Sequence, residues 1–221
     1  YTAKTLEVAT PEKLVANLHE FDCTTLMENS MALARTIHQD YASFNQYLRN
    51  LEDLRYRNGQ LDGYLSRLHY TSDWLYNNAQ LGFIKLVTDR FEGTEKINFP
   101  VRFMSEHPDL YKQLQGDSQR VQAISEQEER IRRRDYYVLP QEKLEANFSK
   151  FKPGDMVGFV TSKEGLDIAH VGLICLREGN PHVMHASMSA DKVVTSEKTL
   201  AGYVNGISHM TGVVVARLQI N

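Results

Sequence analysis

The stretch Phe21-Asp22-Cys23-Thr24-Thr25 runs directly into Leu26-Met27-Glu28-Asn29-Ser30-Met31-Ala32-Leu33-Ala34. This pattern predicts a cysteine at the start of an apolar helix. Leu26, Leu33 and Ile37 recur at helical spacing, so we expect at least one face of the helix to be buried. The helix is therefore expected to form part of the protein core.

Cys23 lies where this helix begins, and a helix start is a reactive setting for a thiol. Either Asp22 or Thr25 can serve as the N-cap, and Thr25-x-x-Glu28 fits a capping box. The unpaired N–H groups and the positive end of the helix dipole then point at Cys23, which stabilises a thiolate. Cys23 is a candidate nucleophile, and such a nucleophile needs a base.

Length and charge exclude several classes of protein. The chain has 221 residues, a formal charge of -3 and a pI near 6.3, which offers no electrostatic case for binding nucleic acid. No apolar run approaches the roughly 20 residues that span a bilayer. Because the chain starts at Tyr1 rather than methionine, we expect a mature form that has lost a signal segment.

The order of the predicted elements indicates an α+β fold. A helix is expected to start at Thr10-Pro11-Glu12, with Leu14, Val15 and Leu18 on its apolar face. Residues 41–54 and 121–134 also have helical patterns, and residues 83–87 form a short predicted strand. The later part predicts five strands of a small antiparallel sheet, at 156–160, 168–176, 182–186, 193–194 and 213–218.

The segment that begins at residue 54 is dense in aromatic rings, arginines and glycines. Such a mixture suits a surface of loops and short helices that binds a polar ligand with flat or sugar-like faces. The alternative is that these rings only brace a loop. The predicted binding residues are Arg57, Tyr64, Arg67, His69, Tyr70, Trp74 and, just before a later strand, Asp167.

Two histidines lie on neighbouring predicted strands. A tight turn at residues 177–181 joins the strand of His170 to the strand of His185, so both can lie close together on one face. A cysteine nucleophile, a base and an orienting second histidine form a triad. We therefore predict Cys23, His170 and His185 as the catalytic residues, with a zinc site built on His69, His170 or His185 as an alternative.

Period-two geometry sets the remaining candidates apart. His182 is three residues from His185 and faces the opposite way, so it is a poor partner in a metal site. Cys175 is five residues from His170, roughly 16 Å away at a strand rise of about 3.3 Å per residue. A disulfide between Cys175 and Cys23 is therefore not expected. We expect Cys175 to be a small core residue.

Four motifs in this order resemble the NlpC superfamily of papain-like cell-wall hydrolases. They are Asp22-Cys23-Thr24, Pro153-Gly154-Asp155-Met156-Val157, His170-Val171-Gly172-Leu173 and Met184-His185-Ala186-Ser187. The separation from Cys23 to His170 is 170 − 23 = 147 residues, with the thiol first, as in papain-like enzymes. The middle segment looks like the domain-of-unknown-function 1460 family, and that resemblance runs over nearly the whole chain. Thr24-Thr25 departs from the usual Ser-Gly after the cysteine.

The resemblance implies one papain-like domain over residues 1–221, with residues 44–135 as an inserted, mainly helical substrate-binding region. It implies a cysteine amidase that cuts between N-acetylmuramic acid, in its anhydro form, and L-alanine. No metal or organic cofactor is implied. The expected partners are peptidoglycan fragments (muropeptides), the expected location is the cell envelope, periplasmic or secreted, and the expected state is a monomer.

The resemblance also implies a role for each residue of the site. Cys23 attacks the amide carbonyl, His170 moves the proton, and His185 orients His170. The Cys23 backbone N–H and the Tyr64 hydroxyl are the expected oxyanion donors. The alternatives are an endopeptidase that cuts within the stem peptide, acyl transfer by the same residues, and a muropeptide-binding module without catalysis.

Overall fold

The computed structural model describes residues 1–7 and 11–220. Within these residues the helices are α1 (Cys23–Ile37), α2 (Phe44–Arg55), α3 (Thr71–Gln80), α4 (Phe103–Glu106), α5 (Ser118–Arg132) and α6 (Leu200–Asn205). The strands are β1 (Ile84–Leu86), β2 (Glu95–Ile97), β3 (Tyr136–Pro140), β4 (Met156–Thr161), β5 (Ile168–Arg177), β6 (Asn180–Ser187), β7 (Lys192–Thr195) and β8 (Met210–Leu218). Both the α+β class and the antiparallel pairing of the sheet are confirmed.

The sheet is larger than the sequence predicts. In the described part of the chain it has eight strands in the order β2-β3-β8-β4-β5-β6-β7, and β1 pairs with the other end of β8. The five predicted later strands correspond to β4 through β8. Strands β2 and β3 were not predicted, because short strands next to aromatic residues and proline carry no clear period-two pattern.

Helix α1 packs against α2 on one side and against β5 and β6 on the other. The predicted apolar face is wrong, because Leu33 is 42% exposed and Ile37 is 69% exposed. The buried face instead combines Met27 and Met31 with the polar residue Glu28. The spacing of apolar residues predicted the other face, because a pattern of apolar residues does not count polar side chains that are buried with hydrogen-bond partners.

One such partner is supplied by α2. The Glu28 carboxylate accepts a hydrogen bond from Arg55 Nε at 2.7 Å, and both side chains are almost completely buried. The Asn29 side chain accepts a hydrogen bond from the Tyr47 hydroxyl. These contacts fix the rotation of α1 about its own axis, and with it the position of the first residue of α1.

The helix predicted to start at Thr10 is not present in the described residues. Thr10 itself lies outside them, and residues 11–22 form no helix. Arg55 donates a hydrogen bond to the Val15 carbonyl at 2.5 Å, and a neighbouring carbonyl accepts one from the Tyr56 hydroxyl. Side chains of α2 and of the turn after it therefore take up carbonyl groups that a helix would have paired internally.

The middle segment, residues 44–135, shares its core with the sheet. Trp74 and Ile124 from this segment belong to the same buried cluster as Met31 of α1 and Val214 of β8. The segment also supplies β1 and β2, so it contains strands as well as helices. Its predicted role in substrate binding stays a prediction.

The Pro-Gly-Asp motif at the start of β4 has a clear structural role. The buried Asp155 carboxylate accepts two hydrogen bonds from the Arg217 guanidinium, at 2.7 and 2.8 Å, and a third from the Lys152 backbone N–H. This fork joins the turn before β4 to the end of β8. Both cysteines are free, and no helix of the described residues is long and apolar enough to cross a membrane.

Replacing Asp155 with alanine tests this joint. Asp155→Ala leaves Arg217 without its buried partner and is expected to lower the free energy of unfolding by about 2–4 kcal/mol. Denaturant unfolding of both proteins measures the difference. The matched control is Glu92→Ala, which removes an exposed partner of Lys150 and is expected to change stability by less than about 0.5 kcal/mol. Equal stability of Asp155→Ala and wild type would contradict the structural role.

Candidate active site

Cys23 is the first residue of α1, and the helix start around it is closed by a capping box. The Asp22 side chain accepts the Thr25 backbone N–H at 2.8 Å, and the Thr25 hydroxyl accepts the Asp22 backbone N–H at 3.0 Å. Asp22 is thus the N-cap, as one of the two predicted alternatives had it. The box predicted between Thr25 and Glu28 is wrong, because Glu28 turns inward to Arg55.

His170 and His185 contact each other across the β5–β6 hairpin. Leu173 pairs with Met184, and this register places the two histidines on the same face of the sheet. His170 Nε2 lies 2.8 Å from His185 Nδ1, within hydrogen-bonding distance. The two imidazole rings meet edge to face, with centroids 4.9 Å apart.

Gly172 allows the strands of this hairpin to come close. A Cβ atom on Gly172 would lie 2.4 Å from Val183 Cγ1 and 3.0 Å from the Met184 carbonyl oxygen. Real Cβ contacts are longer, so any other residue would push β5 and β6 apart. The glycine of the His-Val-Gly motif is therefore needed for the distance between the two imidazoles.

The Cys23 thiol lies beside β5. Burial raises the pKa of the Cys23 thiol, and the Asp22 carboxylate raises it further, whereas the backbone amides of Val171 and Thr24 lower it. The expectation that the helix start holds a thiolate is not met, because loss of hydration outweighs the amides. At neutral pH the thiol keeps its proton.

His170 is a neutral imidazole at neutral pH. Burial lowers the pKa of His170 to about 4, and the neighbouring His185 contributes to the shift. Burial also lowers the pKa of His185. Because His170 Nε2 contacts His185, Nδ1 is the nitrogen of His170 that is left for a further partner.

A cavity of about 400 Å³ opens next to the start of α1. It begins at Asp22 and Thr24, and Tyr64, Arg67 and His69 lie in its wall. Three of the seven predicted binding residues are therefore brought to one cavity. Its wall also includes residues that the sequence interpretation missed: Lys4, Leu6 and Glu7 from the N-terminal segment, and Leu110, Tyr111 and Lys112 after α4.

Arg67 and His69 differ in charge although they share this wall. The Arg67 guanidinium contacts Glu7 at 2.5 Å and lies over the Tyr64 ring, 5.0 Å from its centroid. Burial, together with the positive charge of Arg67, lowers the pKa of His69 to about 3. His69 Nε2 lies 2.9 Å from the Tyr64 carbonyl oxygen. Arg67 therefore carries a positive charge in this wall, whereas His69 is a neutral imidazole.

Two other predicted binding residues make contacts inside the protein. Arg57 forms an ion pair with the buried Asp73 carboxylate at 2.6 Å. The Tyr70 hydroxyl donates a hydrogen bond to Glu128 on α5 at 2.7 Å. Neither residue lines the 400 Å³ cavity, and both hold the middle segment together.

Trp74 and Asp167 are also buried away from the cavity. Trp74 is 1% exposed and packs in the main core. The Asp167 carboxylate accepts the Ser72 backbone N–H at 2.7 Å, which joins the start of α3 to the start of β5. The structure offers no open surface at either residue, so the alternative that aromatic residues brace this segment describes Trp74 better.

The zinc alternative required several ligands in one place. Across residues 1–7 and 11–220, no group of three His, Cys, Asp or Glu side chains lies close enough to hold a metal ion. His69 contacts the Tyr64 carbonyl, whereas His170 and His185 contact each other. His182, predicted to face away, hydrogen-bonds through Nδ1 to the Ser196 carbonyl.

Comparison with known proteins agrees with this architecture. The model of the AmiA-like, N-acetylmuramoyl-L-alanine amidase-like family matches residues 1–211. The chain therefore belongs to this amidase-like family. The comparison with curated protein sequences gave no significant match.

Several solved structures share the fold. A Bacteroides uniformis N-acetylmuramoyl-L-alanine amidase is 36% identical, with a TM-score of 0.93 over 99% of this chain and 93% of the other. A Bacteroides fragilis protein named as a candidate xylanase is 35% identical, with a TM-score of 0.94 over 99% and 95%. A Legionella pneumophila protein of the domain-of-unknown-function 1460 family shares the fold at 21% identity, with a TM-score of 0.64 over 90% and 75%.

Direct titration tests the protonation state of the thiol. In a Cys175→Ala background only Cys23 titrates as a thiol, and its ionisation can be followed by ultraviolet absorbance. Because burial raises the pKa of Cys23 from 9.0, we expect the thiolate to appear only above pH 9. A thiolate present below pH 7 would instead indicate a resting thiolate–imidazolium pair and contradict the neutral site.

Proposed function

We propose that this chain is a cysteine-dependent N-acetylmuramoyl-L-alanine amidase of the NlpC type. Its substrates would be muropeptides with anhydro-N-acetylmuramic acid, cut at the bond to L-alanine. The observation that carries the proposal is the 2.8 Å contact between His170 and His185. His170 lies on β5, and the backbone amide of Val171 on the same strand faces the Cys23 thiol. Nucleophile, base and orienting group are the three parts that cysteine hydrolases need.

The hydrogen bond between the imidazoles sets the tautomer of the base. If His170 Nε2 carries the proton and donates it to His185 Nδ1, then His170 Nδ1 has a free lone pair. That nitrogen can accept the proton of Cys23. His185 thus keeps His170 in the tautomer that acts as a base and stabilises the imidazolium that forms.

The reaction then transfers one proton and breaks one amide bond. The Cys23 sulfur attacks the lactyl carbonyl carbon while His170 takes the thiol proton, and a C–S bond forms. His170 returns this proton to the nitrogen of L-alanine as the C–N bond breaks. Water, deprotonated by His170, then hydrolyses the thioester and releases the muramic acid carboxylate and the free thiol.

Negative charge develops on the carbonyl oxygen during both steps. The backbone N–H of Cys23 at the start of α1 is one donor for this oxygen, and the helix dipole adds to its effect. We assign the second donor to the Tyr64 hydroxyl in the cavity wall. Burial raises the pKa of Tyr64, so its hydroxyl keeps the proton that it would donate.

The cavity beside Cys23 suits a ligand that carries both carboxylates and a sugar. Lys4 and Lys112 supply positive charge for the peptide carboxylates, whereas the charge of Arg67 is already paired with Glu7. Tyr64 and Tyr111 supply aromatic faces for the sugar ring. This mixture supports a muropeptide as the substrate, with the middle segment as its binding region.

Two further expectations complete the proposal. We place the protein in the cell envelope, periplasmic or secreted, because peptidoglycan fragments arise there. We also propose that it acts as a monomer, since the residues assigned to catalysis and binding all come from one chain.

Removing the nucleophile tests the proposed chemistry. Cys23→Ala is expected to lower the release of L-alanyl peptides from defined anhydro-muropeptides by at least about 10³-fold, because no other group can form the thioester. Mass spectrometry of the products measures both the rate and the bond that is cut. Cys175→Ala is the matched control and should keep the wild-type rate.

Each other outcome of this assay points to a different function. Cleavage deeper in the stem peptide indicates an endopeptidase, and binding without cleavage indicates a muropeptide-binding module. Sugar release from xylan indicates the activity named for the Bacteroides fragilis relative. Loss of activity after chelation indicates the zinc alternative. A Cys23→Ala variant with the wild-type rate would contradict the role of Cys23 as the nucleophile.

The pH dependence tests the base. Because the pKa of His170 in the folded protein is lowered to about 4, the neutral base persists down to mildly acidic pH. We expect kcat/KM for a muropeptide to stay nearly constant from pH 7 to pH 5.5 and to fall as the pH approaches 4. In His185→Ala we expect a rate lower by about 10²-fold, because the base loses its orienting partner. An acidic limb near pH 6.5 in the wild-type protein would contradict the lowered pKa.

A further inference from the structure

The two imidazoles and two further aromatic rings form a closed circle. The ring of Phe159 stacks on His170, with centroids 5.8 Å apart and planes at 18°. His170 meets His185 edge to face, and His185 meets Tyr203 at 5.2 Å and 66°. Tyr203 closes the circle against Phe159 at 5.2 Å. Each imidazole is therefore held by an aromatic neighbour as well as by the other imidazole.

Tyr203 is the member of this circle that does not come from the sheet. Phe159, His170 and His185 lie on β4, β5 and β6, whereas Tyr203 lies on α6. Packing holds helix α6 in place, because Leu200 and Val204 are completely buried in a second hydrophobic cluster, separate from the one that contains Trp74. The position of the Tyr203 ring is thus set by packing that is independent of the histidines.

The Tyr203 ring and His185 both border one cavity. The cavity has a volume of about 340 Å³, and apart from Ile207 its remaining wall is polar, with Ser187, Ser196 and Lys198 among its residues. Water in a polar cavity of this size can hydrate any imidazole edge that is left uncovered. The ring of Tyr203 covers the edge of His185 that it contacts.

We propose that Tyr203 is a positioning residue, whose aromatic ring holds His185 edge-on against His170 and keeps water from the edge of His185 that it contacts. The ring does this, and the hydroxyl is not required for it. The importance of this role for catalysis rests on the amidase function proposed above. The effect on the imidazoles themselves is a property of the folded protein and does not depend on any substrate.

The charged groups around the pair do not oppose this role. Cys23 from α1 is a neutral thiol at neutral pH, and Asp22 lies beside it. Glu197 and Lys198 border the polar cavity and carry opposite charges. Loss of hydration is accordingly the first cause of the lowered pKa of both imidazoles, and we assign part of this loss to the Tyr203 ring.

The test compares a variant without the ring with a variant without the hydroxyl. In Tyr203→Leu we expect the titration midpoints of His185 and His170, read from their ring C–H resonances by NMR, to move up by about one pH unit or more as water enters. The acidic limb of kcat/KM for a muropeptide should move by the same amount. Tyr203→Phe keeps the ring and should titrate like the wild-type protein.

Controls separate this role from general packing. Tyr137→Leu removes a tyrosine that is 45% exposed on β3 and should leave both midpoints unchanged. If Tyr203→Leu does not fold, Tyr203→Met keeps more of the side-chain volume and carries the same expectation. Thermal unfolding of every variant shows whether the fold is intact.

Each result of this experiment either supports or overturns the positioning role of Tyr203. A folded Tyr203→Leu or Tyr203→Met variant with unchanged midpoints overturns the proposal, even if its stability or rate is lower. A midpoint that moves equally in Tyr203→Phe also overturns it, because the hydroxyl would then be the active part. If the midpoints move as expected but the wild-type protein cleaves no muropeptide, the positioning role stands and the proposed amidase falls.

Discussion

The hydrogen bond between His170 and His185 depends on the register of a single hairpin. Side chains of a strand alternate between its two faces, so a slip of one residue would turn one imidazole to the opposite face of the sheet. The turn at residues 177–181 and the close approach at Gly172 hold that register. The chemistry proposed for the chain follows from this local geometry, because neither imidazole has an orienting partner without it.

Burial of the site changes the way in which its groups can react. In water, a thiol at a helix start would lose its proton more readily than a free thiol. Here burial raises the pKa of Cys23 and lowers that of His170, so the resting groups are both neutral. In the proposed mechanism, charge appears only when the thiol proton moves, at the point where backbone N–H groups and the second imidazole can stabilise it.

Buried ion pairs position the elements that carry these groups. Glu28 and Arg55 join α1 to α2, and Asp155 and Arg217 join the start of β4 to the end of β8. A buried pair contributes little net stability but is costly to break, so it favours one arrangement of the elements over others. The position of Cys23 relative to β5 depends on such pairs as well as on apolar packing.

The sequence by itself determined the α+β class, the five later strands, the start of α1 at Cys23 and the pairing of His170 with His185. Each of these follows from local periodicity, from a cap or from the length of one turn. Only the tertiary structure decided which face of α1 is buried, that Trp74 and Asp167 are internal, and that the Tyr203 ring packs against His185. Such features depend on contacts between residues far apart in the chain, and no local pattern records the partner that a buried polar group or an aromatic ring will find.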